Sequence, residues 1–221
     1  MSSVSELVTY YAQRALEYED TVGYSRPENR VTVAPIKARY QLALEGHDVL
    51  EIACGPGYWT EVVAATARSV LATDLDPCLV SMARSRTAHL PNVTCQAADA
   101  YSLDGVTGHL SAAFAQHWWS HVPKARLRSF LVNLHSKLAP GARVIFLDAL
   151  PYHHRGARRV DENGDLLEER TLRNGKKFDV IKNFPDRAEI LSVLEGIAEQ
   201  VVYKSYRSES YWTVTYLTRT V

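Results

Sequence analysis

The feature that most constrains this sequence is a short apolar run that leads through a glycine turn into a helical pattern. Residues 49–53 form the run, which contains one carboxylate, Glu51, and residues 54–57 form a Cys-Gly-Pro-Gly turn. In open α/β sheets, a strand followed by a glycine turn and a helix opens a ligand crevice at the carboxyl edge of the sheet. Glycine lets the backbone approach a ligand closely and adopt positive φ angles. The segment therefore predicts a ligand-binding turn.

Strand and helix patterns alternate through the middle of the chain. After the strand predicted at 49–53, further apolar stretches typical of strands lie at residues 70–75, 93–97, 110–115 and 143–150. Helical patterns separate several of these stretches. Repeated strand–helix alternation predicts a mostly parallel sheet with helices on both faces, which is a doubly wound α/β fold.

Beyond residue 151 the pattern changes to one rich in predicted strands. Asn174-Gly175 is typical of a tight turn and predicts a hairpin between residues 166–172 and 177–181. A second antiparallel hairpin is expected at the end, between residues 200–206 and 211–219. The chain is therefore expected to add antiparallel strands to the parallel sheet.

Size and charge narrow the classes of protein that fit. The 221 residues suit a single domain, and 25 basic side chains balance 25 acidic ones. A neutral chain lacks the basic face on which phosphate neutralisation depends, so no nucleic-acid partner is expected. No apolar run approaches the roughly 20 residues that span a bilayer, and the N-terminus lacks the pattern of a signal peptide. Three scattered cysteines without metal or redox spacing suit a reducing compartment. We expect a cytoplasmic protein, monomer or homodimer, with neither membrane partner nor metal.

Four sites resemble motifs of the class I S-adenosyl-L-methionine (SAM) methyltransferases. They are the glycine turn at 51–57, Asp74 within 72–75, Asp99 within 98–100, and the segment 138–144. The resemblance covers residues 48–221. It implies a Rossmann-like, mostly parallel seven-stranded sheet with an N-terminal helical lid and an antiparallel C-terminal hairpin. Within one domain, 1–221, the lid would span 1–46, the SAM-binding core 47–150, and a β-rich acceptor-side region 151–221.

The resemblance also implies SAM as cofactor, S-adenosylhomocysteine (SAH) as its product, and a role for each motif. Asp74 would accept the ribose hydroxyls, being about 20 residues beyond the glycines, and Asp99 would accept the adenine amino group. Either aspartate could instead only shape its turn. A nicotinamide-binding domain is the rival fold, but Thr60 stands where its fingerprint requires a third glycine. The predicted cofactor-binding residues are Tyr11, Arg14, Glu51, Ala53, Gly55, Gly57, Asp74, Leu75, Asp99, Ala100 and Gln116.

The N-terminal residues are similar to the leading helix that covers the SAM pocket in many small-molecule methyltransferases. Ser3-x-x-Glu6 is typical of a capping box that starts such a helix. The resemblance implies that Tyr11 and Arg14 meet the cofactor, and that Tyr18 and Tyr24 meet the substrate. The alternative is an amphipathic helix that only packs on the core. The later hairpin, around residues 168–184, is expected to cover the crevice from the other side.

The reacting groups are expected after the fourth strand, where two histidines and two tryptophans fall within five residues. His117 and His121 are the candidate general bases, because histidine accepts a proton near neutral pH. Trp118 and Trp119 are expected to bind the substrate, since indole rings contact both apolar groups and cations. The sequence slightly favours His121, with both tryptophans as walls. Either histidine could also be purely structural.

These features predict transfer of the SAM methyl group to an O or N atom of a small, cyclic or aromatic metabolite. The Asn/Asp-Pro-Pro-Tyr run linked with amino methylation of nucleic acids and proteins is absent after the fourth strand. Two alternatives remain open. One is a SAM-using enzyme of the same fold that cyclises the amino-acid part and releases methylthioadenosine. The other is a SAM-binding regulator without catalysis.

Overall fold

The computed structural model describes residues 3–14, 30–151, 157–206 and 210–219, and a seven-stranded sheet is its main element. The order of its strands is β3-β2-β1-β4-β5-β10-β9, and only β10 runs antiparallel to the other six strands. A separate sheet has the order β6-β7-β8. The strands are β1 (Asp48–Ile52), β2 (Ser69–Asp74), β3 (Val93–Ala97), β4 (Ala112–Gln116), β5 (Arg143–Ala149), β6 (Arg158–Val160), β7 (Leu166–Thr171), β8 (Lys177–Ile181), β9 (Ala198–Tyr206) and β10 (Tyr211–Thr218).

Helices cover both faces of the large sheet. They are α1 (Ser3–Arg14), α2 (Arg30–Leu44), α3 (Tyr58–Ala64), α4 (Pro77–Arg86), α5 (Lys124–Ser136) and α6 (Arg187–Leu194). One core cluster joins α2, α3 and α4 to the sheet, and a second joins α5 and α6 to its opposite face. This arrangement confirms the predicted doubly wound, Rossmann-like fold with its antiparallel C-terminal hairpin. None of the helices within the described ranges is long and apolar enough to cross a bilayer.

The strand order places a crevice beside β1. This strand pairs with β2 on one side and β4 on the other, and all three are parallel. Their connections therefore leave in opposite directions across the sheet, and the carboxyl ends of the strands face an open space. The glycine turn follows β1, Asp74 ends β2 and Gln116 ends β4. The predicted cofactor residues thus meet at one edge.

The small sheet and α1 pack against each other through apolar side chains. Leu7 and Tyr10 on α1 form one buried cluster with Leu172, Phe178 and Val180. The predicted hairpin at residues 166–181 is present, but β6 extends it to three strands. The apolar stripe of α1 would be exposed if the helix stood by itself. The small sheet, and not the large one, covers this stripe and so stabilises the helix.

The lid predicted at residues 1–46 does not form one unit. Tyr40 and Leu44 of α2 are buried in the core cluster that covers the large sheet, and the Tyr40 ring lies 5.1 Å from that of Phe114 on β4. Of the described N-terminal residues, therefore, only α1 lies where a lid would be. Helical periodicity does not reveal which sheet a helix covers, so α1 and α2 were not distinguished from the sequence.

Candidate active site

A cavity opens at the carboxyl ends of β1, β2 and β4, with α1 on its far side. Eleven of the predicted site residues line it. They are Tyr11, Ala53, Gly55, Asp74, Leu75, Asp99, Ala100, Gln116, His117, Trp118 and His121. Ten of them lie at the ends of four strands or in the loops that follow, which meet because the strands are adjacent, and Tyr11 lies on α1.

The two glycines of the turn have different surroundings. Gly57, at φ 83°, precedes α3, and a Cβ there would lie 2.8 Å from Cα of Ala83 on α4. Its missing side chain therefore allows two helices to approach, and it does not line the cavity. Gly55, at φ 56°, lines the cavity and has nothing within 4 Å of its Cβ position. Open space beside a positive-φ glycine suits close approach of a ligand to the backbone.

Asp74 both faces the cavity and holds the glycine turn. Its Oδ2 accepts a hydrogen bond from the Gly55 amide at 2.9 Å, and its Oδ1 accepts one from the Asp76 amide at 3.0 Å. Burial raises the pKa of Asp74, although these amides oppose the shift. The N-cap of α4 is Asp76, which accepts from the Cys78 amide at 2.8 Å. Asp74 therefore shapes the turn that follows β2, as the alternative interpretation expects, and it also lines the cavity, so its ribose-binding role stays a prediction.

Asp99 shapes its own loop and also faces the cavity. Its Oδ1 accepts a hydrogen bond from the Tyr101 amide at 2.8 Å. The carboxylate is among the cavity-lining groups, beside Ala98 and Ala100. Turn formation leaves the second carboxylate oxygen available for a ligand, so both predicted roles are compatible.

Glu51 lies deeper, beside a smaller cavity that it shares with Gly55 and Gln116. The side chain is buried and accepts a hydrogen bond from the Thr60 hydroxyl at 2.5 Å. Burial raises the pKa of Glu51 to about 8, and the Thr60 hydroxyl partly opposes this. The threonine that replaces the third glycine of the nicotinamide fingerprint is therefore the partner of this carboxyl group.

His117 lies in the cavity wall directly after β4. Its backbone has φ 57°, and its amide donates to the Leu147 carbonyl of β5 at 2.8 Å. The side chain is 31% exposed, and its Nδ1 lies 3.5 Å from Oδ1 of Asp148. Within the described ranges nothing hydrogen-bonds to its Nε2. A histidine oriented by a carboxylate at Nδ1 presents the lone pair of Nε2 to whatever occupies the cavity.

Asp148 is fully buried behind His117 and is held by several donors. Its oxygens accept hydrogen bonds from the Ser120 amide at 2.9 Å, the Ala149 amide at 2.7 Å and Nζ of Lys182 at 3.1 Å. Burial alone would raise the pKa of Asp148, but Lys182 and His117 outweigh it and hold the pKa well below its usual range. Asp148 is therefore an ionised carboxylate with a fixed orientation.

His121 is buried, and both of its ring nitrogens are engaged. Its Nδ1 lies 2.5 Å from the Ile181 carbonyl oxygen, which can only accept, so Nδ1 carries the proton. Its Nε2 must then accept the hydrogen bond from the Tyr11 hydroxyl at 2.9 Å. Burial and then the nearby Lys182 lower the pKa of His121 well below the ordinary value. The geometry therefore favours His117 over His121 as a base, contrary to the slight preference drawn from the sequence.

Of the other predicted site residues, Trp119 and Arg14 do not line the cavity. Trp119 does not wall the cavity but packs in the core, 5.0 Å from the Phe146 ring, because the turn after β4 directs it inward. Arg14 lies on α1 over the Tyr10 ring at 5.5 Å and is not among the cavity-lining groups. Tyr18 and Tyr24 lie outside the described residues.

Sequence reasoning missed two aromatic and charged groups in the cavity wall. Tyr101 and Arg126 both line it, with the Arg126 guanidinium carbon 3.6 Å from the Tyr101 ring centroid. Tyr101 directly follows Ala100, so extending the third motif by one residue would have found it. Arg126 lies in the first turn of α5, and no local pattern distinguishes it from other surface arginines.

Comparisons with known proteins give the class to which this site belongs. The model of the methyltransferase domain family matches residues 49–141. Phosphoethanolamine N-methyltransferase 1 of Caenorhabditis elegans is 31% identical over 90 residues, which are 41% of this chain but only 19% of that protein. The chain thus matches about a fifth of the length of this curated relative.

Two solved structures cover the whole fold. A complex of DhpI with SAH has a TM-score of 0.77 at 26% identity, with 100% of both chains covered. A DhpI–SAM–HEP complex has a TM-score of 0.75 at 27% identity, with 98% of this chain and 99% of the other covered. The N-methyltransferase NodS from Bradyrhizobium japonicum, in complex with SAH, shares the fold with a TM-score of 0.60 at 16% identity.

The fold, the site and these comparisons together point to one class of α/β protein. Residues 49–141 match the methyltransferase domain family, and the fold over the whole chain is that of the class I methyltransferases, whose cofactor is SAM. The residues present fit this cofactor, because two carboxylates and an unobstructed glycine face the same cavity.

Proposed function

We propose that the protein transfers the methyl group of SAM to an O or N atom of a small, cyclic or aromatic metabolite. The observation that carries the proposal is His117, which lines the cavity with its Nδ1 beside the buried Asp148 and its Nε2 without a partner in the described structure. An imidazole oriented by a carboxylate at the edge of a ligand site is suited to removing a proton from an acceptor.

The cofactor end of the cavity contains the groups that the proposal needs. Asp74 would accept the ribose hydroxyls, Asp99 the adenine amino group, and Leu75 would contact the adenine ring. Ala53, Ala100 and Gln116 would complete this wall, while the deeper Glu51 would act through the glycine turn. When bound, SAM supplies an electrophilic methyl group on a sulfonium centre that leaves as SAH. The protein then has to align the acceptor and exclude water.

His117 would supply the proton acceptor in the mechanism. Its Nδ1 lies 3.5 Å from the Asp148 carboxylate, which would favour the tautomer that is protonated at Nδ1 and leave the Nε2 lone pair towards the cavity. The acceptor's O–H or N–H proton would pass to Nε2 as the new bond to carbon forms. Asp148 stabilises the resulting imidazolium, because its own pKa is held low and it stays ionised. Such general-base assistance contributes about 10²–10⁴-fold to the rate.

The acceptor end of the cavity is bounded mainly by apolar and aromatic side chains. Leu7 and Tyr11 from α1 face Trp118 and Tyr101 from the large sheet's loops. Flat rings offer large contact areas to a cyclic or aromatic ligand. The name of the nematode relative supports keeping nitrogen among the possible acceptor atoms. In this proposal α1 and the region 151–221 bound the acceptor site, and residues 47–150 bind the cofactor.

The charge balance and composition support two further parts of the proposal. The protein would act on a small molecule in the cytoplasm, with no nucleic-acid or membrane partner. It would do so as a monomer or a homodimer. Size-exclusion chromatography with light scattering distinguishes these two states.

Incubation with methyl-labelled SAM and a fractionated metabolite extract tests the proposal. Mass spectrometry should find SAH together with a labelled metabolite. Methylthioadenosine in place of SAH would show cyclisation, and bound SAM without any product would show a regulator; either result contradicts methyl transfer. The same assay compares His117→Gln with His89→Gln, because His89 is an exposed histidine beside Glu61, away from the cavity.

A further inference from the structure

A second cavity lies along the face of the large sheet that α2 covers. Its walls are α2 on one side and β5, β9 and β10 on the other. None of its lining residues lines the candidate active site. Three of them, Arg39, Arg143 and Lys204, are cationic, and none is aspartate or glutamate. We call this cavity the basic groove.

Arg143 is the least exposed of the three cationic residues in the basic groove. It is the first residue of β5, and its Nε is buried without a hydrogen-bond partner in the described structure. Neither Arg143 nor Lys204 makes a salt bridge with any residue of the described ranges. A buried guanidinium nitrogen without an acceptor is costly, and an anionic ligand in the groove would remove that cost.

Arg39 is held at the groove by two aromatic residues. Its guanidinium carbon lies 4.1 Å from the Tyr206 ring centroid, and its Nη1 donates to the Tyr211 hydroxyl. The Tyr206 and Tyr211 rings are stacked with centroids 4.7 Å apart. The planar group is thereby oriented before any ligand arrives, and an oriented guanidinium loses less entropy on binding.

We propose that the basic groove binds a small molecule through a phosphate or carboxylate group, at a site separate from the methyl-transfer site. Two guanidinium groups offer paired N–H donors that match the oxygens of such anions, and Lys204 adds a point charge. The open strand face of Thr213 and Thr215 borders these cations and supplies hydroxyl groups. The proposal does not depend on the reaction at the other cavity.

Calorimetric titration of inorganic pyrophosphate into the protein saturated with SAH tests the groove at low ionic strength. Saturable binding of one anion per chain is expected. Lys204→Ala and Arg143→Gln should each weaken it by roughly tenfold or more, the range for a hydrogen bond to a charged group. A parallel titration with citrate shows whether a carboxylate serves as well as a phosphate.

Lys177→Ala is the matched control, because Lys177 is also an exposed lysine on a strand but lies on the small sheet. Binding that is unsaturable, or that Lys177→Ala weakens as much as Lys204→Ala does, would show only general charge attraction and overturn the proposal. Unchanged binding in Lys204→Ala would overturn it as well. Since Lys204 is exposed and makes no contact that the fold needs, this variant remains informative even if Arg143→Gln folds poorly.

Discussion

The hydroxyl of Tyr11 donates to Nε2 of His121 at 2.9 Å, and this bond joins α1 to the turn that follows β4. The same imidazole donates from Nδ1 to the Ile181 carbonyl at the end of β8. One side chain therefore links the N-terminal helix, the small sheet and the large sheet beside the candidate active site. Because the link needs an unprotonated Nε2, it holds only while His121 is neutral.

Tyr11→Phe should loosen this link without removing the ring contact. The buried Nε2 of His121 would lose its donor, and an unsatisfied buried acceptor costs about 1–3 kcal/mol. We expect faster amide hydrogen exchange in α1 and a smaller free energy of unfolding by urea. Exchange in β3, at the far side of the sheet, serves as the internal control. Unchanged exchange in α1 would show that apolar packing alone holds the helix.

The contribution of two histidines to the unfolding free energy should decrease as the pH falls below about 6.5, the unperturbed pKa of histidine. Burial lowers the pKa of His121 well below that value and the pKa of His135 to about 4. At these two histidines the unfolded chain therefore binds more protons than the native protein, so their contribution to stability is full above pH 6.5 and is lost progressively towards pH 4. Glu51, whose pKa burial raises to about 8, opposes this loss. Urea titrations at pH 7.5 and 5 measure the loss.

His121→Gln should reduce the difference in unfolding free energy between pH 7.5 and pH 5, because one proton-linked group is removed. His89→Gln is the control, since His89 is exposed. An equal acid dependence in the wild-type protein and in His121→Gln would mean that other groups dominate the loss of stability.

The two glycines of the turn should respond differently to the same substitution. Gly57→Ala would place a methyl group 2.8 Å from Cα of Ala83 and hold alanine at φ 83°, so both overpacking and backbone strain act. We expect a loss of unfolding free energy of about 2–5 kcal/mol. Gly55→Ala meets no atom within 4 Å and adds strain alone, about 1–2 kcal/mol.

Among variants that fold, the affinity for SAH should fall more in Gly55→Ala than in Gly57→Ala. The methyl group of Gly55→Ala would project into the space that the ligand is proposed to occupy, so calorimetry should show weaker SAH binding at nearly normal stability. Gly57→Ala should affect stability first. Wild-type SAH affinity in Gly55→Ala would show that the cofactor does not approach this part of the turn.

Much of the fold could be predicted because local patterns and the chain order agree. The third strand was predicted at its observed residues, Val93–Ala97, and the first was displaced by one residue, to Asp48–Ile52. Ala53 takes φ 54°, which ends the strand earlier than its apolar character indicates. β6 was not predicted, because its Arg-Arg-Val sequence has no apolar alternation and the strand forms by pairing with β7.

The site was less predictable wherever tertiary contacts decide the role of a residue. Motif spacing placed Asp74 and Asp99 at the cavity, since parallel strands end at one edge. Neighbouring positions on the turn after β4 were not separable: Trp118 faces the cavity and Trp119 the core. The choice between His117 and His121 depends on Asp148, Ile181 and Tyr11, whose proximity no sequence pattern indicates.

Lys182 and Asp148 should have separable effects on stability and catalysis. Lys182→Met leaves the Asp148 carboxylate buried without its cation, and breaking such a pair costs about 3–5 kcal/mol. Asp148→Asn removes the charge that orients His117 and should lower kcat by about 10²-fold or more, with little change in SAH affinity. Combining the two substitutions removes both charges, so the double variant should recover part of the stability that Lys182→Met loses while its kcat stays low. Urea denaturation and steady-state kinetics on the four proteins measure both quantities. Full kcat in Asp148→Asn would show that alignment and water exclusion suffice and that His117 is not the base.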